Sequence, residues 1–158
     1  MNNEFLKIKN VVKYYGRESI VTKALDGISF SMEKGDFTAI MGASGSGKST
    51  LLNVISTIDA VSSGEICLDG IDIADMKEEQ LSDFRRDKLG FIFQEYNLLD
   101  TLTVGENITL PLNLQKISAV DTKKRLLHVA GELGVADQLG KFPCELSGGQ
   151  RQRAACAR

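Results

Sequence analysis

The stretch GASGSGKST, Gly42 to Thr50, decides the fold, because it fits the pattern G-x-x-x-x-G-K-[ST] at every position. Before it, DFTAIM (residues 36–41) reads as a buried strand; after it, LLNVIST (residues 51–57) reads as the body of a helix. Strand, glycine loop and helix together form a phosphate cradle. Gly42, Gly45 and Gly47 admit backbone dihedrals closed to other residues, and with Ala43, Ser44 and Ser46 they bring main-chain N–H groups up to an anion. The helix mouth that follows adds free N–H groups and the positive end of the macrodipole. Lys48 supplies a compact positive charge for the outer phosphates. Ser49 offers a hydroxyl to Mg²⁺, a hard ion that prefers oxygen, and Thr50 is placed for a further phosphate contact. The expected ligand is a nucleoside triphosphate with Mg²⁺.

Working outward, the 158 residues suit one domain by length, and 42 % apolar with 25 % charged residues is the balance of a water-soluble globular protein. A net charge of −2 with scattered basic residues gives no reason to expect nucleic acid as a partner. No apolar run approaches the roughly 20 residues needed to span a bilayer, and MNNEFLKIKN lacks a signal core, so the chain is expected in the cytoplasm. Cys67, Cys144 and Cys156 lack metal-ligand spacing and read as packing or surface residues of a reducing compartment.

The first part of the chain is strand-rich. FLKIKNVVKYY (residues 5–15) alternates at Leu6 and Ile8, and ALDGISFSM (residues 24–32) alternates around Ile28 and Phe30. A turn at Glu33-Lys34-Gly35 leads into the strand before the glycine loop, and the helix from Lys48 is expected to run to about Ile58. EICLDGIDI (residues 65–73) predicts a short hairpin around Asp69-Gly70; residues 77–87 predict a helix; GFIFQ (residues 90–94) predicts a compact apolar strand. Helices follow. Residues 103–115 contain Pro111, which should end or kink them, and residues 118–133 place Leu126, Ala130 and Leu133 on one face. Pro143 interrupts, and Ser147 then reads as the N-cap of a helix starting at Gly148.

LSGGQRQR (residues 146–153) lies about a hundred residues after the glycine loop, with Gln94 between them at the end of an apolar run. That ordered set resembles the ATP-binding-cassette (ABC) ATPases, in which LSGGQ is the signature and the glutamine opens the Q-loop. The resemblance covers essentially the whole chain. It implies an α/β P-loop NTPase core with an N-terminal antiparallel β subdomain, followed by a helical subdomain. Residues 1–94 would form the nucleotide-binding core, and residues 95–158 the Q-loop and signature region. It further implies ATP and Mg²⁺ as ligands, with Lys48 and Gln94 catalytic and Ser49 and Gln94 on the metal. Tyr15 would stack on adenine, reading a flat π-face, with its neighbour Tyr14 as the other candidate. Ser147, Gly148, Gly149 and Gln150 would form a second helix mouth aimed at the γ-phosphate held by a sister copy. The implied partners are that second subunit, in a head-to-tail dimer with ATP sandwiched between, and a membrane permease at the cytoplasmic face of the cell membrane.

Residues 85–112 narrow the likeness to the lipoprotein-release, macrolide-efflux and cell-division branch. IDAVSSGEI and QEYNLLDTLTV resemble most closely the bacitracin and lantibiotic resistance ATPases, implying antimicrobial peptide export or resistance. Tyr96, Leu98, Leu99 and Leu102 make an apolar cluster where that family receives a permease helix. The chain also departs from the family. An apolar strand ending in Asp, a Glu general base and a switch histidine follow the signature there, and none lies within the 158 residues. His128 precedes the signature in an amphipathic stretch and reads as a surface helix residue. The expectation is therefore a chain truncated after the signature that binds nucleotide weakly and does not turn over ATP alone. Two other readings stand beside the transporter subunit: a non-catalytic nucleotide-binding fragment, and a soluble cassette ATPase without a permease. A GTPase would need an Asn-Lys-x-Asp element, which is lacking.

Overall fold

The computed structural model describes residues 4–17 and 20–158. Two compact units emerge, Met1–Arg85 and Arg86–Arg158. All described strands fall in the first, and the second is helical among its described residues.

The first unit is built on a hairpin of β1 (Glu4–Arg17) and β2 (Ile20–Glu33). β3 (Ser63–Leu68) pairs with the other side of β1, and the two-residue β4 (Ile71–Asp72) closes an antiparallel sheet of order β2-β1-β3-β4. The register places Leu6 and Ile8 between Met32 and Phe30 on one side and Leu68 and Ile66 on the other. Simple alternation would next bury Asn10. A bulge intervenes instead: Asn10 has φ 49°, its N–H donates to Ser29 Oγ (2.8 Å), and Val11 takes the inward position, fully buried. After the bulge, Val11, Lys13 and Tyr15 share one face at a spacing of two.

The predicted hairpin at Asp69-Gly70 is present, with φ of 51° and 77° at the two turn residues, as a type I′ geometry demands. Helix α1 (Lys48–Ile55) buries Leu51 and Val54 and stops about three residues earlier than the sequence suggests. Thr57 adopts φ 59° and ends it, with Ile58 N–H reaching back to Asn53 O (2.9 Å). A β-branched residue is strained there. Arg85 of α2 (Glu78–Lys88) braces it by donating from Nη1 to Thr57 O at 2.8 Å.

Two expected strands are corrected. Residues 36–41 and 90–94 carry no ladder hydrogen bonds, and the only sheet among the described residues is the antiparallel one. Phe37 is fully exposed, Met41 is 88 % exposed and Ile92 59 %. Composition marks a run as suited to a buried strand, but a strand exists only where neighbours satisfy its N–H and C=O groups. No described segment provides them here.

In the second unit, α3 (Val104–Leu114), α4 (Ala119–Glu132) and α5 (Gly148–Ala157) surround a core of Val104, Ile108, Ala130, Val135, Leu146 and Ala154. Leu126 and Leu133 pack against it beside Ala130, as the predicted stripe requires. Pro111 does not end α3, which runs three residues further; it lies in the last turn, where a single lost bond is tolerated. His128 is exposed on α4, and all three cysteines are free thiols. No helix among the described residues is long and apolar enough to cross a membrane.

Candidate functional site

The glycine loop leaves β2 through the turn at residues 33–36, where Glu33 N–H donates to Asp36 Oδ2 (2.8 Å). It ends on Gly47, the N-cap of α1, at φ 88°. A Cβ on Gly47 would stand 2.5 Å from the carbonyl oxygen of Ala24 on β2, so the backbone passes β2 where only glycine fits. Gly42 is less constrained: a Cβ there would lie 2.7 Å from Ser46 Oγ, a side-chain atom that can rotate away. Leu51 N–H is the first to bond back into the helix, to Gly47 O (2.8 Å). The N–H groups of the preceding first turn belong to the orphan set of a helix start, and no acidic side chain sits there to compete with an anion.

Lys48 folds back over the loop. Its Nζ donates to Gly42 O (3.0 Å) and Ala43 O (2.7 Å), which holds the ammonium at the loop's mouth. Ser49 is exposed, and Thr50 is half-buried. An unpaired helix start, a cation held at its mouth and a free-standing hydroxyl fit a triphosphate with a bound magnesium ion.

Tyr15 and Tyr14 point to opposite faces of β1. Tyr14 takes Lys23 over its ring, 5.6 Å from the centroid. Tyr15 Oη donates to Asp59 Oδ2 (2.7 Å), just past α1. Tyr15, not Tyr14, therefore stands beside the glycine-loop helix. The hydrogen bond to Asp59, followed by burial, raises the Tyr15 hydroxyl above its ordinary value. For Asp59, burial favours the neutral acid, but hydrogen bonds from Lys13 and Tyr15 outweigh it and hold the carboxyl below the usual range.

Gln94 is exposed in the irregular segment that opens the second unit. Tyr96 (φ 62°) and Asn97 (φ 46°) follow it in the left-handed region, where neither gains the freedom of glycine. Arg158 at the end of α5 secures that bend: Nη1 donates to Asn97 O (2.6 Å) and Nη2 to Tyr96 O (3.1 Å). Helix α5 begins as the sequence implies, with Ser147 as its N-cap. Ser147 Oγ accepts from Gln150 N–H (3.3 Å), and Gln150 Oε1 accepts from Ser147 N–H (2.8 Å), a reciprocal capping box. Both side chains are thus engaged with their own helix end, and the exposed Gly148 and Gly149 are what the mouth presents.

Sequence reasoning missed Lys13, Asp59, Asn107 and Arg158. Lys13 alone carried a signal, since it follows the buried Val11 at the spacing of a strand face. The other three are polar residues whose partners lie far along the chain or in irregular loops. Asn107 is fully buried: its Oδ1 accepts from Leu99 N–H (2.7 Å), and its Nδ2 donates to the carbonyls of Leu99, Leu102 and Thr103. It thereby pins the loop between the Gln94 segment and α3.

The family model described as ABC transporter matches residues 25–158, and the chain belongs to that family. Among its relatives, the bacitracin export ATP-binding protein BceA of Halalkalibacterium halodurans is 52 % identical over 97 % of this chain and 60 % of its own length. The macrolide export ATP-binding/permease protein MacB of Neisseria gonorrhoeae is 43 % identical over 97 % of this chain and 24 % of its own. The chain thus spans about 60 % of the length of the first of these and a smaller share of the second. A solved structure, the ATP-binding cassette MJ0796 in a dimeric post-hydrolysis state bound to ADP and phosphate, superposes with a TM-score of 0.90. It is 39 % identical over 96 % of this chain and 67 % of that one. The fold is therefore that of an ABC ATPase cassette.

Proposed function

We propose that this chain binds MgATP as part of the ATPase subunit of an ABC transporter, a subunit that as a whole couples ATP binding and hydrolysis to a membrane permease. One observation carries the reading. The chain has two glycine-opened helix mouths, α1 with Lys48 held across its entrance and α5 closed on itself by Ser147 and Gln150.

In this scheme residues 42–47 wrap the phosphates, α1's free N–H groups and Lys48 neutralise them, and Ser49 and Gln94 hold Mg²⁺. The ion supplies charge neutralisation at the outer phosphates. Tyr15 receives adenine on its ring. The mouth formed by Ser147, Gly148, Gly149 and Gln150 engages the nucleotide of a second subunit, so that ATP joins the pair head to tail, as an interface that closes on binding and opens on hydrolysis. Residues 1–94 act as the nucleotide-binding core and residues 95–158 as the Q-loop and signature region. The segment with Tyr96, Leu98, Leu99 and Leu102 meets the permease on the cytoplasmic side of the membrane. The bacitracin and macrolide export names of the relatives favour antimicrobial export or resistance as the task.

Titration with a fluorescent ATP analogue, with and without Mg²⁺, tests the reading. Lys48→Ala is expected to weaken binding by about tenfold or more, since a charge-assisted phosphate contact is lost. Unchanged binding removes the glycine loop from the account. Co-purification with a permease separates the transporter role from a free-standing cassette.

A further inference from the structure

A polar cluster of Lys13, Tyr15 and Asp59 stands beside the helix that follows the glycine loop. Lys13 on β1 is nearly buried, with 11 % of its side chain exposed, yet it is fully engaged. Its Nζ donates to Asp59 Oδ1 (2.6 Å) and to Ala60 O (2.6 Å). The other oxygen of Asp59 accepts from Tyr15 Oη (2.7 Å). The same ammonium lies 4.9 Å from the centroid of the Tyr15 ring. Burying an ammonium is costly unless it is paired, so this arrangement is held in one geometry or not at all.

Each member arrives by a separate local rule. The bulge at Asn10 sets Val11, Lys13 and Tyr15 on one face of β1. Thr57 in the left-handed region turns the chain off α1, and the N–H groups of Ile58 and Asp59 both return to Asn53 O (2.9 and 3.2 Å). That turn, braced by Arg85, delivers the Asp59 carboxylate to β1. The Tyr15 ring meanwhile stays 41 % exposed. Its far end is fastened and one face carries a cation, which leaves the other face for a flat ligand. A cation on one face also withdraws charge from the ring and favours an electron-rich partner on the other.

We infer that Lys13 and Asp59 are positioning residues that pre-orient Tyr15 as the stacking platform for the nucleotide base. The inference rests on the proposal that Tyr15 receives adenine. Fixing the ring before the ligand arrives removes the ordering cost from binding, an effect worth about three- to tenfold in affinity for one side chain.

The test compares MgATP with magnesium tripolyphosphate by titration calorimetry, because the second ligand has the phosphates and no base. Tyr15→Phe keeps the ring and the Lys13–Asp59 pair but loses the hydroxyl, and it is expected to bind ATP about three- to tenfold more weakly with tripolyphosphate unchanged. Asp59→Ala is expected to give the same selective loss, and the double variant no more than the larger single loss. A merely structural role would weaken both ligands together, so a parallel loss overturns the inference. Wild-type ATP affinity in Tyr15→Phe also overturns it, and that variant carries the test alone if Asp59→Ala does not fold. Tyr15→Ala separates the two levels. If Tyr15→Ala loses the ATP preference while Tyr15→Phe and Asp59→Ala keep it, only the positioning role falls; if Tyr15→Ala keeps it, the adenine assignment falls too.

Discussion

Replacing Gly47 by alanine tests whether the glycine loop is shaped by close backbone approach or by backbone freedom alone, and Gly45 is its natural control. Both residues have positive φ, 88° and 79°. A Cβ on Gly45 would meet nothing within 4 Å, whereas on Gly47 it would meet Ala24 O at 2.5 Å and Leu25 Cδ2 at 3.1 Å. Gly45→Ala therefore incurs only the left-handed penalty, about 1 kcal/mol. Gly47→Ala incurs that penalty and must also push α1 away from β2, adding about 2 kcal/mol of overpacking. At about 3 °C per kcal/mol for a chain of this size, the melting temperature should fall by about 3 °C for Gly45→Ala and about 9 °C for Gly47→Ala. The measurement is thermal unfolding by circular dichroism without nucleotide, so that lost ligand contacts do not contribute. Equal shifts for the two variants would refute the close approach to Ala24 as the reason for glycine at position 47.

Other outcomes follow from the same kind of reasoning. Asn107→Ala removes the group that satisfies four backbone atoms around Leu99 to Thr103, so it should cost about 3 kcal/mol and speed amide exchange at Leu99; an unchanged urea midpoint would contradict it. Gly64→Ala places a Cβ 2.5 Å from Asn10 O and 2.6 Å from Val11 Cα. It should destabilise by about 3 kcal/mol or more, against about 1 kcal/mol for Gly70→Ala, where φ is 77° and the space is open. The Asp59 carboxyl is held below its ordinary value in the folded protein. Its contribution is thus fully present above the unfolded value, near pH 4, and is lost as pH falls below that towards the folded value. Urea midpoints between pH 5 and pH 3 should accordingly fall more steeply in the wild type than in Asp59→Asn, and parallel profiles would count against the pairing.

Local sequence settles whatever depends on neighbours a few residues away. The glycine loop and the start of α1 at Lys48, the hairpin turn at Asp69-Gly70, the cap of Ser147 on α5 and the inward stripe of α4 each follow from local geometry, and the structure has them where the pattern puts them. The side of β1 that each tyrosine occupies depends on long-range pairing, because a bulge at Asn10 shifts the alternation. Tertiary contact also decides that Lys13 is paired rather than solvated, since Asp59 lies 46 residues away in sequence. The same limit explains residues 36–41 and 90–94, which read as strands but bond to no ladder. An apolar run carries its own hydrophobicity, whereas its hydrogen-bond partners belong to other segments, and no local pattern can say whether those segments will be at hand.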